Sequence, residues 1–97
     1  MIDAASLLSD LIRIDTTNPP GREREAVELI ASVLADNGIE PQMYAKDAER
    51  PSLIGRVSGE GTAPPLLVQG HLDVVGVTDQ RWDHDPFSGE IIDGWIW

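Results

Sequence analysis

Cysteine is absent from the chain, which excludes disulfides, thiolate zinc sites and a cysteine nucleophile, and suits a reducing compartment. Positive charge is scarce: 7 Lys and Arg stand against 17 Asp and Glu, for a net charge of −10. The deficit is even along the chain. Divided at Ala48, the halves hold 4 basic with 9 acidic residues, then 3 with 8, so each carries −5. Without a basic patch or stripe there is no electrostatic footprint for nucleic acid, and anionic membrane surfaces should repel the chain. Long apolar runs are missing too, so no segment should span a bilayer. The opening Met1-Ile2-Asp3 lacks the basic start of a signal peptide. These absences predict a soluble, acidic, cytoplasmic protein with neither nucleic-acid nor membrane partners. What is present fits one small globular domain: 97 residues, 41% hydrophobic and 25% charged, with 9 Gly and 7 Pro, a balance that argues against wholesale disorder.

Two helices can be read from apolar spacing. Leu7, Leu8, Leu11 and Ile12 line one stripe of a helix that starts after Asp3, whose carboxylate suits an N-cap. It should end by Asp15, because Thr16-Thr17-Asn18-Pro19-Pro20-Gly21 cannot continue it. A second helix is predicted over about Arg22–Asn37, burying Ala26, Val27, Ile30, Ala31 and Leu34, with Gly38 as its stop. Both helices read as packing elements. Three strands should follow: Ile39–Ala45, placed at an edge by Pro41; Ser52–Ser58; and Pro65–His71, whose unalternating Leu66-Leu67-Val68 predicts cover on both faces. Their short connections predict antiparallel neighbours. Glu90–Ile92 and Trp95–Trp97 around Asp93-Gly94 should form a tight hairpin. Two tryptophans on a final apolar strand further predict that the chain is the N-terminal part of a longer protein.

The nucleophile elbow, the phosphate-binding loop and the His-Glu-x-x-His helix have no counterpart here. Gly59-Glu60-Gly61 lacks a third glycine and a helix start, so it reads as a turn. The stretch with chemical promise is Gly70-His71-Leu72-Asp73-Val74-Val75. Residues i and i+2 of an extended backbone share a face, so His71 and Asp73 should project together. A metal-binding imidazole needs an acceptor for its second nitrogen, and a carboxylate supplies one. Spacing alone also allows an ordinary surface-turn histidine beside a carboxylate. Asp83-His84-Asp85 offers three liganding side chains in a row, but loop neighbours seldom converge on one ion. A solvated acidic turn anchored by Trp82 and Phe87 is the reading adopted there.

Taken in order, Asp15-Thr16-Thr17-Asn18-Pro19-Pro20-Gly21, Gly70-His71-Leu72-Asp73-Val74-Val75, Trp82 with Asp85-Pro86-Phe87-Ser88-Gly89, and Asp93-Gly94 form a recognisable series. The series resembles the zinc-dependent amidohydrolases and exopeptidases that include acetylornithine deacetylase, succinyl-diaminopimelate desuccinylase, aminoacylase-1 and carboxypeptidase G. By that resemblance His71 is a ligand of one of a pair of zinc ions, for which cobalt or manganese can substitute. Asp73 is the catalytic-centre aspartate that orients His71 without binding metal. The resemblance implies further ligands, and a Glu-Glu pair providing the general base, beyond Trp97.

The expected fold is therefore α/β, a mixed β-sheet flanked by helices. Residues 1–97 would be the N-terminal portion of a catalytic domain with a zinc-peptidase-like three-layer architecture. The rest of that domain and a lid or dimerisation domain lie outside the chain. The implied activity is hydrolysis of amide bonds in N-acyl amino acids or small peptides by metal-activated water, in a complete protein that can be a homodimer. The 97 residues alone should be inactive. An acidic, non-enzymatic interaction module and a truncated, non-functional product are the alternatives.

Overall fold

A computed structural model describes every residue, Met1–Trp97. The first helix, α1, covers Ala4–Ile12. Asp3 caps it as expected, accepting from the Ala5 N–H at 3.1 Å and the Ser6 hydroxyl at 2.5 Å. Those two bonds, the Ser6 hydroxyl foremost, hold the Asp3 carboxyl below the usual carboxylate range. The second helix, α2, covers Arg24–Asp36 and closes at Gly38, whose φ of +74° is the left-handed conformation the stop required. It starts two residues later than its apolar spacing predicts. Glu23, the residue at its N-cap, makes no side-chain capping bond, because its carboxylate is engaged elsewhere.

Strands β1 (Gln42–Tyr44) and β2 (Ser52–Ile54) pair antiparallel, with Met43 opposite Leu53. Both are shorter than the apolar runs that contain them, and β1 begins immediately after Pro41. Strands β3 (Ile91–Ile92) and β4 (Trp95–Ile96) form the predicted hairpin. Its turn residues Asp93 and Gly94 have φ of +50° and +82°, the paired left-handed geometry that gives Asp-Gly its preference. Helix α1 is tied to the loop before β3. The Ser9 hydroxyl donates to the Gly89 carbonyl, and Arg13 Nε to the Ser88 carbonyl at 3.1 Å.

The third predicted strand is corrected by the structure. Residues 65–71 join no sheet, and Leu66, Leu67 and Val68 are 88%, 86% and 82% exposed rather than covered. The antiparallel pairing expected with β2 is also missing. Pro64 and Pro65 bring no N–H to a ladder, and the run has no strand beside it on either edge. Pairing resumes only at Val74, which forms a parallel bridge with Thr17. There Asn18 N–H donates to the Val74 carbonyl at 2.9 Å, and Val74 N–H to the Thr16 carbonyl at 3.2 Å.

The architecture is thus α/β, two helices with two small antiparallel sheets. It does not close a core. Eight of 97 residues are buried, and Ala26 and Val27 are the hydrophobic ones among them. The radius of gyration is 15.6 Å, where a compact domain of this length has about 13 Å. Beside α1, a groove of about 390 Å³ lined by Leu8, Leu11, Val75, Trp82 and Phe87 lies open.

The 97-residue polypeptide by itself is therefore expected to melt without cooperativity and to self-associate through Leu66–Val68 and this groove. Sedimentation and scanning calorimetry check this. A monomer with a sharp two-state transition would overturn it.

Candidate functional site

The site is assembled where the turn after α1 meets the segment leading to Val74. Thr16 is buried and its hydroxyl donates to the Leu72 carbonyl at 2.6 Å. With the Thr17–Val74 bridge, this bond clamps the stretch 71–74 against the turn. Asp15 shapes the turn from its start, accepting the Thr17 N–H at 2.9 Å. The Thr17 hydroxyl and N–H hold the Asp15 carboxyl below its usual range.

His71 and Asp73 do project together. His71 Nδ1 lies 2.8 Å from Asp73 Oδ1 and 2.9 Å from the Asp73 carbonyl oxygen. A carbonyl oxygen only accepts, so Nδ1 is the nitrogen that carries the proton. In the neutral ring Nε2 is then the nitrogen with the free lone pair, on a side chain that is 83% exposed.

Asp73 is more enclosed than His71, and its second oxygen is fully engaged. Asn18 Nδ2 donates to Asp73 Oδ2 at 2.9 Å, and Arg50 Nη2 approaches the same atom at 3.4 Å. The Asn18 amide, ahead of the His71 hydrogen bond and the charges of His71 and Arg50, holds the Asp73 carboxyl below the usual carboxylate range. Arg50 is fixed in turn by Glu23. Its Nη2 lies 2.8 Å and its Nε 3.0 Å from Glu23 Oε1, and the Glu23 residue is buried. Hydrogen bonding to Glu23 raises the Arg50 pKa further.

Gly21 completes the arrangement. It is buried, has φ of +80°, and faces the Arg50 side chain so closely that a Cβ would come within 2.8 Å of Cζ. Only glycine combines that backbone with that approach. Glu23, Arg50, Gly70, His71 and Asp73 line an open cleft of about 1000 Å³.

His84 is placed differently. Its Nδ1 lies 3.4 Å from Glu90 Oε2, and its ring sits 4.2 Å from the Trp97 ring. Asp85 caps its own turn at the Phe87 N–H, 2.8 Å away, and Trp82 Nε1 donates to the Val77 carbonyl at 3.0 Å. His84 and Asp85 are thus engaged separately, with different partners. No group of three or more His, Cys, Asp or Glu side chains in the structure could hold a metal ion together.

Asn18, Gly21, Glu23 and Arg50 were not identified as site residues by the sequence reading. Asn18 and Gly21 had a signal, standing in a Pro-Pro turn that the family resemblance already included. Arg50 had none, since it is one of several charged residues in a loop.

The fold and the site together define an α/β segment that presents one oriented imidazole to an open cleft. Its relatives are more specific. The chain is 36% identical over 97 residues to a succinyl-diaminopimelate desuccinylase of Cereibacter sphaeroides (strain ATCC 17029 / ATH 2.4.9), covering 99% of this chain and 25% of that protein. The enzyme of the same name from Methylobacterium radiotolerans is 35% identical over 98 residues, covering 97% of this chain and 24% of that protein. The one from Paracoccus denitrificans is 38% identical over 96 residues, with 98% and 24% covered. The resemblance read from the motifs therefore extends along the whole chain: these relatives are named succinyl-diaminopimelate desuccinylases. The chain spans about a quarter of the length of these curated relatives. No family model and no solved structure matches it.

Proposed function

We propose that residues 1–97 are the N-terminal segment of the catalytic domain of a metal-dependent amidohydrolase. Its substrates are N-acyl amino acids, with N-succinyl-diaminopimelate the first candidate, and small peptides are the wider class. The observation that carries this reading is the His71–Asp73 pair, standing in a chain that resembles desuccinylases from end to end.

The pair suits a metal. His71 offers Nε2 to the cleft, and its other nitrogen is committed to a carboxylate, the arrangement that fixes a ligating imidazole. A zinc ion held there would lower the pKa of its bound water and polarise the substrate carbonyl. Zinc needs about three or four protein ligands, so the others must come from outside this segment. Within the segment, His71 would bind, and Asp73 would orient it and raise its basicity. Asn18 and Arg50 hold Asp73 ionised.

The same reading accounts for the uncovered surface. In a complete domain, Pro65–His71 would be an inner strand of a mixed sheet, with helices on both faces making three layers. Leu66–Val68 would then be covered. A lid or dimerisation domain, a homodimer and a cytoplasmic location belong to this proposal as well. No helix of the structure is long and apolar enough to cross a membrane.

The test is an assay of the complete protein for succinate release from N-succinyl-diaminopimelate, beside N-acetylornithine and a dipeptide. Hydrolysis of one of these should disappear on chelation and return with zinc, and with cobalt or manganese in its place. Failure to hydrolyse any N-acyl amino acid or peptide with metal restored would overturn the proposal.

A further inference from the structure

We propose that Asn18, together with the Glu23–Arg50 ion pair, acts as a positioning clamp on Asp73. The clamp holds the carboxylate with one oxygen against His71, and the acceptor so placed favours the imidazole proton on Nδ1.

A carboxylate on a single chain segment can rotate, and an exposed histidine can carry its proton on either nitrogen. Within His71-Leu72-Asp73 the Asp73 carbonyl and Oδ1 both face Nδ1, but nothing in that stretch keeps the Asp73 carboxylate from swinging away. The constraint comes from outside that stretch. Asn18 Nδ2 at 2.9 Å and Arg50 Nη2 at 3.4 Å both address Oδ2. With that oxygen taken by two donors, Oδ1 is left for the imidazole, at 2.8 Å.

Each clamp member is itself held. The Asn18 backbone is fixed by its bond to the Val74 carbonyl, which sets the reach of its amide back to Asp73. Arg50 is gripped by the buried Glu23 through Nε and Nη2, over a Gly21 that leaves it room. A planar guanidinium gripped this way loses little further freedom on donating to a second carboxylate. The Asn-Pro-Pro-Gly turn and an otherwise anonymous loop arginine therefore converge on one oxygen atom. Both lie far from His71 in sequence, and neither hydrogen-bonds to its ring. Their part is to orient the orienting residue.

The effect on metal rests on the reading of His71 as a ligand; the effect on the imidazole proton does not. The experiment uses the complete protein with ¹⁵N-labelled histidine, metal-free for the spectrum and zinc-loaded for a chelator competition. In the unmodified protein, His71 should show a protonated Nδ1 and a bare Nε2. Asn18→Leu removes the donor amide at similar size. It should produce a mixed or reversed tautomer signal and weaken zinc binding by about tenfold, within the range of outer-shell changes. Asn18→Asp sets a carboxylate against Asp73 and should weaken zinc more, towards about a hundredfold. The double variant Glu23→Gln/Arg50→Gln replaces the ion pair with a neutral hydrogen-bonded one and leaves the Asn18–Val74 pairing untouched. It carries the test if Asn18→Leu fails to fold, and should shift the tautomer in the same direction.

An unchanged His71 spectrum in the folded variants would overturn the clamp. His71→Ala separates the two ideas. If it abolishes zinc binding while the clamp variants keep spectrum and affinity, His71 is a ligand and the clamp is wrong. If it leaves zinc binding intact, the ligand reading falls, and the tautomer signal alone judges the clamp.

Discussion

His71→Ala in the complete protein is expected to abolish amide hydrolysis and to strip or greatly weaken one metal. The loss should exceed the roughly 10–100-fold that changes outside the ligand shell cause. A site of about three or four protein ligands has no spare donor. This segment holds no substitute either: His84, the other histidine, stacks on Trp97 and faces Glu90. Loss of a bound metal lowers stability by itself, so the variant should melt below the metal-loaded parent and near the metal-free one. Elemental analysis beside turnover and thermal melting checks all three expectations. Full metal content with unimpaired turnover would show the pair to be an ordinary strand-end turn.

What the sequence made legible was local. The Asp3 cap, the apolar period of both helices, the left-handed stop at Gly38 and the Asp93-Gly94 turn each depend on residues within a few positions of one another. Backbone sterics decide such features before any tertiary contact forms. The projection of His71 and Asp73 to one side is legible for the same reason, being a property of extended backbone.

What could not be read was nonlocal. Leu66-Leu67-Val68 has the composition of a covered strand, but a strand exists only with a partner, and no pairing reaches it here. A continuous apolar run records the environment a segment is suited to, and the 97 residues do not supply that environment. The clamp was hidden differently. Asn18 stands where a helix must stop, which explains its backbone and gives no sign of where its side chain reaches. Glu23 opens a helix without capping it, and the reason is Arg50, 27 residues further on. No periodicity encodes such a meeting. The Arg24 N–H bond to the Glu49 carbonyl, at 3.1 Å, sets Glu23 beside Arg50, while the Thr17–Val74 bridge brings the first turn beside the histidine.

That geometry also sharpens what Asp73→Asn should do. The amide is nearly the same size as the carboxylate, and either of its ends could face His71. Two donors, Asn18 Nδ2 and Arg50 Nη2, already address the outer position. An amide NH₂ turned towards them would meet N–H against N–H, so the oxygen should settle there. The NH₂ then faces His71 Nδ1 and needs an acceptor, which favours the imidazole proton on Nε2 against the opposing pull of the residue 73 carbonyl. That is the nitrogen a metal would use. An asparagine in place of an orienting aspartate is known to impose the wrong histidine tautomer in serine proteases, at large cost to turnover. Turnover should accordingly fall by about a hundredfold or more, at or beyond the upper end of ordinary outer-shell changes, with zinc affinity weakened in parallel. Asp73→Ala makes the comparison decisive. It deletes the side-chain acceptor, leaves the main-chain carbonyl of residue 73 facing Nδ1 and forces no wrong tautomer, so it should be no worse than Asp73→Asn. Zinc affinity by chelator competition, turnover at saturating zinc and the ¹⁵N histidine spectrum decide the matter together. If Asp73→Asn keeps the Nδ1 proton and near-normal turnover, the two outer donors do not control the carboxylate. If it strips metal as completely as His71→Ala with the tautomer unchanged, Asp73 binds the metal directly and the orienting role is wrong.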